Sequence, residues 1–416
     1  MSYINRFTEK NIKKVSKSFP VVLITGSRQV GKTTILRHFA DTNGENINFV
    51  TLDDMSERIF AKEDPKGFLE THKYPLIIDE FQYAPELLSY IKIIVDNLRY
   101  EHLKNTKIKC NGLFFLTGSQ SFLSMEKISE SLAGRISILE LYGLSTREIF
   151  KQQNQLFNLN ISKNKNKDFN ISIDKLYGRI FNGSFPEIWN NDNIDIQNFY
   201  SSYINTYIKR DIRELINIKD ELKFSKFLTE LAVRTSQELN LNSITNDIEI
   251  SNPTAKDWLS ILVNTGLIYL LKPYSANTIK RIVKKPKLYF LDTGLAIFLA
   301  KYKNIETLMS SQFAGPIYET YVISEIIKSY VNNGLSPDIY YYRDNANNEI
   351  DLIYEENNTI YPLEIKKTST PNISDLKNFR VLKSFNKNIG SGSLICNYDH
   401  ILPLNQNLFS IPATFI

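Results

Sequence analysis

A glycine-bounded loop, Gly26-Ser27-Arg28-Gln29-Val30-Gly31-Lys32-Thr33, stands between an apolar run, Val21–Thr25, and a helix-period run, Thr34–Ala40. Strand, loop and helix in that order leave the backbone few alternatives. Glycines let an anion approach the main chain, and successive N–H groups at a helix start form a nest for phosphate. In the spacing G-x-x-x-x-G-K-T the lysine reaches the outer phosphates of a nucleoside triphosphate and the hydroxyl holds Mg2+. The candidate ATP contacts are Gly26, Ser27, Arg28, Gln29, Val30, Gly31, Lys32, Thr33 and Thr34, with Thr33 as a metal ligand. A chance loop match is the plain alternative, and the flanking strand and helix argue against it.

Such a loop needs an acid at the end of a neighbouring strand, and Pro75-Leu76-Ile77-Ile78-Asp79-Glu80 supplies two. Asp79 can hold the water shell of Mg2+ and Glu80 can polarise the attacking water; otherwise the pair simply caps a buried strand. Leu113–Thr117 reads as a further buried strand, after which Thr117 or Ser119 senses the γ-phosphate or caps the next helix. Gln82 either positions water or lies on the surface. Arg135 is a candidate for neutralising transition-state charge, in cis or across the subunit boundary of a homo-oligomer; a salt-bridged arginine at a strand start is the alternative. With runs at 47–52 and 136–141, these segments predict a parallel sheet covered by helices over residues 1–150.

At 416 residues the chain has room for roughly two to four domains. Its 42% hydrophobic and 23% charged residues are those of a soluble globular protein. The opening Met1–Arg6 has no apolar signal-peptide core, and Leu259–Leu271 is too short and too interrupted for a membrane span. Two distant cysteines and four scattered histidines give no zinc spacing, so a reduced cytoplasm is expected. A net charge of +5 permits a nucleic-acid partner without requiring one.

Residues 151–172 are rich in Asn and Lys and read as a flexible insert. Over 173–300 a helical region follows. In it Ser251 or Asn252 caps a helix near Pro253, and Gly266 ends that helix before a strand. Lys280, Arg281, Lys284, Lys285 and Lys287 then form a basic hairpin, a wing that contacts phosphates or an interdomain scaffold. Lys256 beside Asp257 makes a poor base-reading face, so strong sequence specificity is not expected.

Residues 312–416 hold a second candidate site. Glu349-Ile350-Asp351 and Ile360–Lys366 read as neighbouring strands, which period two lets present Asp351, Glu364 and Lys366 together. Two carboxylates can hold Mg2+ or Mn2+ while the lysine stabilises hydroxide, as metal-assisted phosphodiester hydrolysis requires. On the helix expected over 316–330, Glu319 falls on the apolar face and needs a metal or a lysine. Arg343, Lys367 and Lys377 lie near enough to meet phosphates. The alternative is a structural ion pair between these acids and Lys366.

The order of Asp351, Glu364 and Lys366, with Glu319 before them, resembles the PD-(D/E)XK nucleases. Together, the glycine loop, Ile77–Gln82, Leu116–Gln120, Ser131–Leu141, Phe181–Glu187, Tyr207–Asp211 and Lys287–Gly294 resemble a large prokaryotic family of AAA-like P-loop ATPases. The resemblance implies an α/β fold: an AAA-like P-loop NTPase domain, a winged-helix-like middle and a C-terminal restriction-endonuclease-like domain. Two functions are expected from it. In one, nucleotide state gates a metal-dependent nuclease acting on nucleic acid, DNA more than RNA. In the other, the chain is an ATP-driven switch or DNA-binding regulator with an inactive nuclease fold.

Overall fold

The computed structural model describes residues 3–44, 46–118, 131–158, 171–207, 221–275 and 285–416. Ser119, Lys280, Arg281, Lys284, residues 159–170 of the expected insert and residues 208–211 lie outside the described residues.

Strands β1 (Val21–Thr25), β2 (Asn48–Thr51), β3 (Leu76–Asp79), β4 (Phe114–Gly118) and β5 (Ile136–Glu140) form a sheet ordered β2-β3-β4-β1-β5. Every pairing in it is parallel. Alternation along β1 sends Val21 and Leu23 into one core and Val22 and Ile24 into another. Burial on both faces is why these strands read as unbroken apolar runs. Parallel pairing also gathers the carboxyl ends of β1 to β4 at one edge, and the strand order turns back at β1, where such sheets take their ligands. Helix α1 (Lys32–Thr42) starts from that edge.

Beyond the sheet come α2 (Thr146–Ile149), α3 (Ile173–Asn182) and several further helices, among them α4 (Asn252–Asn264). Ser251 caps α4, its hydroxyl accepting the Thr254 N–H at 3.2 Å. Gly266 then turns the chain into β6 (Ile268–Leu271), which pairs antiparallel with β7 (Lys287–Phe290). Trp258, Leu259 and Leu262 are buried, as packing residues should be.

The last stretch opens with α5 (Ala314–Val331), followed by an antiparallel meander of β8 (Ile339–Arg343), β9 (Glu349–Glu356) and β10 (Thr359–Ile365). After a 3-10 helical stretch, Ile373–Ser384, come β11 (Asn388–Ile389), β12 (Gly392–Cys396), β13 (Leu402–Pro403) and β14 (Leu408–Pro412). Both β11 and β12 run parallel to β10, and β14 runs parallel to β12. Among the described residues no helix is long and apolar enough to cross a membrane. A single apolar core runs from Val22 and Ile24 through Leu262 and Ile323 to Leu363 and Ile411, so the two large sheets are joined by continuous packing.

Candidate functional site

At the carboxyl edge of the first sheet the glycine loop is tightly held. Gly26 has φ +150°, and a Cβ there would lie 2.1 Å from the Leu141 carbonyl oxygen. Gly31, at φ +94°, begins α1. Lys32 is buried, its ammonium donating to the carbonyls of Gly26 (3.0 Å) and Ser27 (2.9 Å). Arg28 is half-buried and Thr34 exposed. The Gly26→Ala variant should bind a fluorescent ATP analogue about 10- to 100-fold more weakly, because the methyl group forces the loop open. Unchanged affinity in that titration would mean the loop relaxes freely.

Asp79 ends β3 beneath this loop and gathers hydroxyls. Its Oδ1 accepts from Thr33 at 2.7 Å and Thr117 at 2.6 Å, and its Oδ2 accepts from Thr51 at 3.3 Å. The Thr117 hydroxyl in turn accepts the Glu80 N–H at 3.0 Å, so one threonine orients both acids. Glu80 sits at φ +54°, a left-handed backbone that a glutamate adopts only when its surroundings hold it, and Gln82 donates to its carboxylate. Thr33 and Asp79 offer the hard oxygen donors that suit Mg2+, whose charge would offset that of the phosphates. Thr51 was not singled out from the sequence; its clue is register, since it pairs with Asp79 across β2 and β3.

Arg6 is a second contributor that sequence reasoning passes over. Buried at the loop's flank, it donates to the carbonyls of Val30 (2.8 Å) and Tyr142 (2.7 Å) and pairs with Glu148 at 3.1 Å. Nothing in its local sequence signals this.

Arg135 corrects one expectation. It precedes β5, its carbonyl accepts the N–H of Val21 at the start of β1, and its guanidinium is paired with Asp96 at 2.6 and 3.0 Å. That is the amino edge of the sheet, a strand's length of roughly 15 Å from the loop. A role on the nucleotide of the same chain is therefore excluded, which leaves only the intersubunit version.

In the C-terminal sheet, Asp351 and Glu364 come together on β9 and β10, with Asp351 Oδ2 accepting the Ile365 N–H at 2.8 Å. Lys366 corrects a second expectation: its ammonium turns to Asp375, 3.3 Å from the carboxylate. The cation among the acids is Lys287, which the sequence had placed on a basic wing. Its ammonium lies 3.1 Å from Glu319, 2.5 Å from Glu349 and 3.7 Å from Asp351, and only 3% of its side chain is exposed. Burial lowers the Lys287 pKa, but Glu319 and its neighbours outweigh that and raise it well above the ordinary lysine value. Tyr289, next along the same face of β7, donates to Glu319 at 2.6 Å. Burial first, then Glu319, raises the Asp351 carboxyl; burial, then Asp351, raises Glu364. Arg343 is engaged by Glu238 and Glu349, and Lys367 by the Met309 carbonyl; only Lys377, of the three cations expected to meet phosphates, is exposed without such an engagement described.

Four carboxylates are the right chemistry for a hard divalent ion. Yet among the described residues no group of three or more Asp, Glu, His or Cys is spaced to hold a metal. With an ammonium seated between its acids, the cluster as it stands does not fit one.

A buried junction links the two sheets. Glu325 of α5 accepts from Arg179 of α3 (2.8 Å), Lys328 (3.1 Å) and the Thr146 N–H at the start of α2 (2.7 Å). Arg179 and Lys328 also donate to the Leu144 carbonyl.

A glycine loop on a parallel sheet, with paired acids beneath it, defines the P-loop nucleotide hydrolases. Residues 18–150 match the profile of the family described as an AAA domain. The match and the loop together support an ATP-hydrolysing enzyme of the AAA, P-loop type. Residues 173–306 and 314–416 match two families described as domains of unknown function, DUF8612 and DUF4143. An uncharacterized protein of Mycobacterium tuberculosis is 28% identical over 396 residues, covering 95% of this chain and 80% of its own. One of Methanocaldococcus jannaschii is 24% identical over 315 residues, 69% of this chain and 63% of its own. Among solved structures, the Walker-type ATPase PABY2304 of Pyrococcus abyssi aligns with TM-score 0.41 and 13% identity, over 71% of this chain and 96% of that one. The RuvB Holliday junction branch migration motor of Thermotoga maritima aligns with TM-score 0.31 and 18% identity, over 63% and 88%.

Proposed function

We propose that the chain is an ATP-driven switch whose nucleotide state governs how its middle and C-terminal regions engage nucleic acid, DNA rather than RNA. The observation that carries this reading is the convergence of Thr33, Thr51 and Thr117 on Asp79 with Glu80 held alongside. Lys32 leaves the loop carbonyls for the β- and γ-phosphates, Thr33 and Asp79 hold Mg2+, and Glu80 orients the attacking water. The helices leading to α4 and the β6–β7 hairpin support a winged-helix-like middle. The run α5, β8-β9-β10, 3-10 stretch and β12 parallel to β10 supports a restriction-endonuclease-like last domain. The Arg6–Glu148 and Thr146–Glu325 contacts supply a physical connection between loop and α5.

A second reading, metal-dependent cleavage at Asp351 and Glu364 with Mg2+ or Mn2+, is favoured by the buried Glu364 Oε2, which has no hydrogen-bond partner. The seated Lys287 weighs against it.

The experiment is a DNA-binding titration with ATP, ADP and no nucleotide, run with Mg2+ and Mn2+ and followed by a gel for cleavage. The wild type is expected to change its DNA affinity several-fold with nucleotide and to leave DNA intact, whereas Lys32→Ala loses the nucleotide response. A Lys32→Ala chain that binds ATP as the wild type does removes the basis of the reading, and cleavage that Asp351→Ala abolishes selects the second one.

A further inference from the structure

We infer that Lys287 is the resident cation of the C-terminal acid cluster, and that its ammonium and a divalent metal ion are alternative occupants of one seat. The lysine and its acids come from separate stretches of chain. Lys287 opens β7, in the segment before α5, whereas Glu319 lies on α5 and Glu349 and Asp351 lie on β9. Its ammonium touches all three carboxylates within 3.7 Å. Tyr289 fixes the same Glu319, and Glu238 forms a bridge with Lys287 that holds the start of β7 in place.

A structural ion pair would satisfy its members, and this cluster has one carboxylate too many. Glu364 is 8% exposed, and its Oε2 finds no hydrogen-bond partner among the described residues. The charges that bear on it are those of Asp351, Lys366, Glu319 and Lys287, so it borders the same cluster. A buried carboxyl oxygen without a partner is costly, and costs nothing further only when a cation meets it. A single ammonium with three donors is saturated by its present partners, whereas a divalent ion takes six to eight oxygens. The seat is therefore built for more charge than the lysine brings, and the lysine closes it. Movement of β7 relative to β9 opens it. This inference goes beyond the switch proposed above and stands on the cluster's geometry, not on ATP or DNA binding.

The test is a titration of the nucleotide-free full-length protein with Mn2+, following free ion by electron paramagnetic resonance. Wild type should show no tight site at the cluster. Lys287→Met, which keeps the stem and removes the charge, should gain one equivalent of Mn2+ bound roughly 100-fold more tightly, since buried acids are left without their cation. Adding Asp351→Asn to Lys287→Met should remove that site. Circular dichroism establishes whether Lys287→Met is folded. A folded Lys287→Met that binds no more tightly than wild type overturns the inference, as does a wild-type site that Asp351→Asn abolishes. If Lys287→Met does not fold, wild type and Asp351→Asn decide between them: equal absence of a site supports the inference, and a site lost in Asp351→Asn overturns it.

Discussion

Glu80→Gln should bind ATP about as tightly as the wild type and hydrolyse it roughly 10²- to 10⁴-fold more slowly. The side chains differ by one acceptor oxygen, so packing and the left-handed backbone at this position survive the exchange. What disappears is the carboxylate that orients and polarises water, and Gln82, which donates to it, is left facing an amide. Asp79→Asn makes the instructive contrast. Asp79 accepts from Thr33, Thr51 and Thr117 at once, and an amide accepts on one side only. Its loss should therefore weaken Mg2+-ATP binding as well as turnover. Single-turnover hydrolysis beside an ATP-analogue titration separates the two variants. A Glu80→Gln chain that turns over within a few-fold of wild type would show that the water is positioned elsewhere.

How much of this was readable beforehand depends on how local each arrangement is. The loop from Gly26 to Thr33, the acid at the end of β3 and the hydroxyl at the end of β4 follow from runs of adjacent residues, because parallel strands with similar ends must bring those ends to one edge. Asp351 and Glu364 were legible for the same reason: antiparallel neighbours share a face by period two. Lys287 was not. A cluster of five basic residues reads as a solvated wing, and only the packing of β7 against α5 reveals that its last member points inward. The alternation of Lys287 with Tyr289, both reaching Glu319, was the available signal. Arg6 and Glu325 find their partners far along the chain, at Val30, Tyr142 and Glu148 for the one and at Thr146 and Arg179 for the other. No pattern of spacing carries such pairs.

Glu325→Ala should lower the first thermal transition by on the order of 10 °C, because it strands two cations in the core. Arg179 and Lys328 are each 1% exposed and meet on the one carboxylate, which also takes the Thr146 N–H. Removing it leaves both charges without their counter-ion, a change of about 3–5 kcal/mol against a total stability of only about 5–15 kcal/mol. Replacing Arg179, Glu325 and Lys328 together by Met, Leu and Met should cost less than the single change, since no charge is then buried alone. Acid gives an independent check. Burial raises the Glu325 pKa, but Lys328, Arg179 and the Thr146 N–H outweigh it and hold the carboxyl below its usual 4.5. A depressed acid contributes stability that is complete above 4.5 and lost as pH falls through the folded value, so wild type should lose stability more steeply than the triple variant below pH 4.5. Because Leu144 to Glu148 lead from this junction to Arg6 and the glycine loop, ATP affinity should fall in Glu325→Ala even at temperatures where it is folded. Unaltered affinity in a folded Glu325→Ala would confine the junction to holding the chain together, with no part in passing nucleotide state to α5.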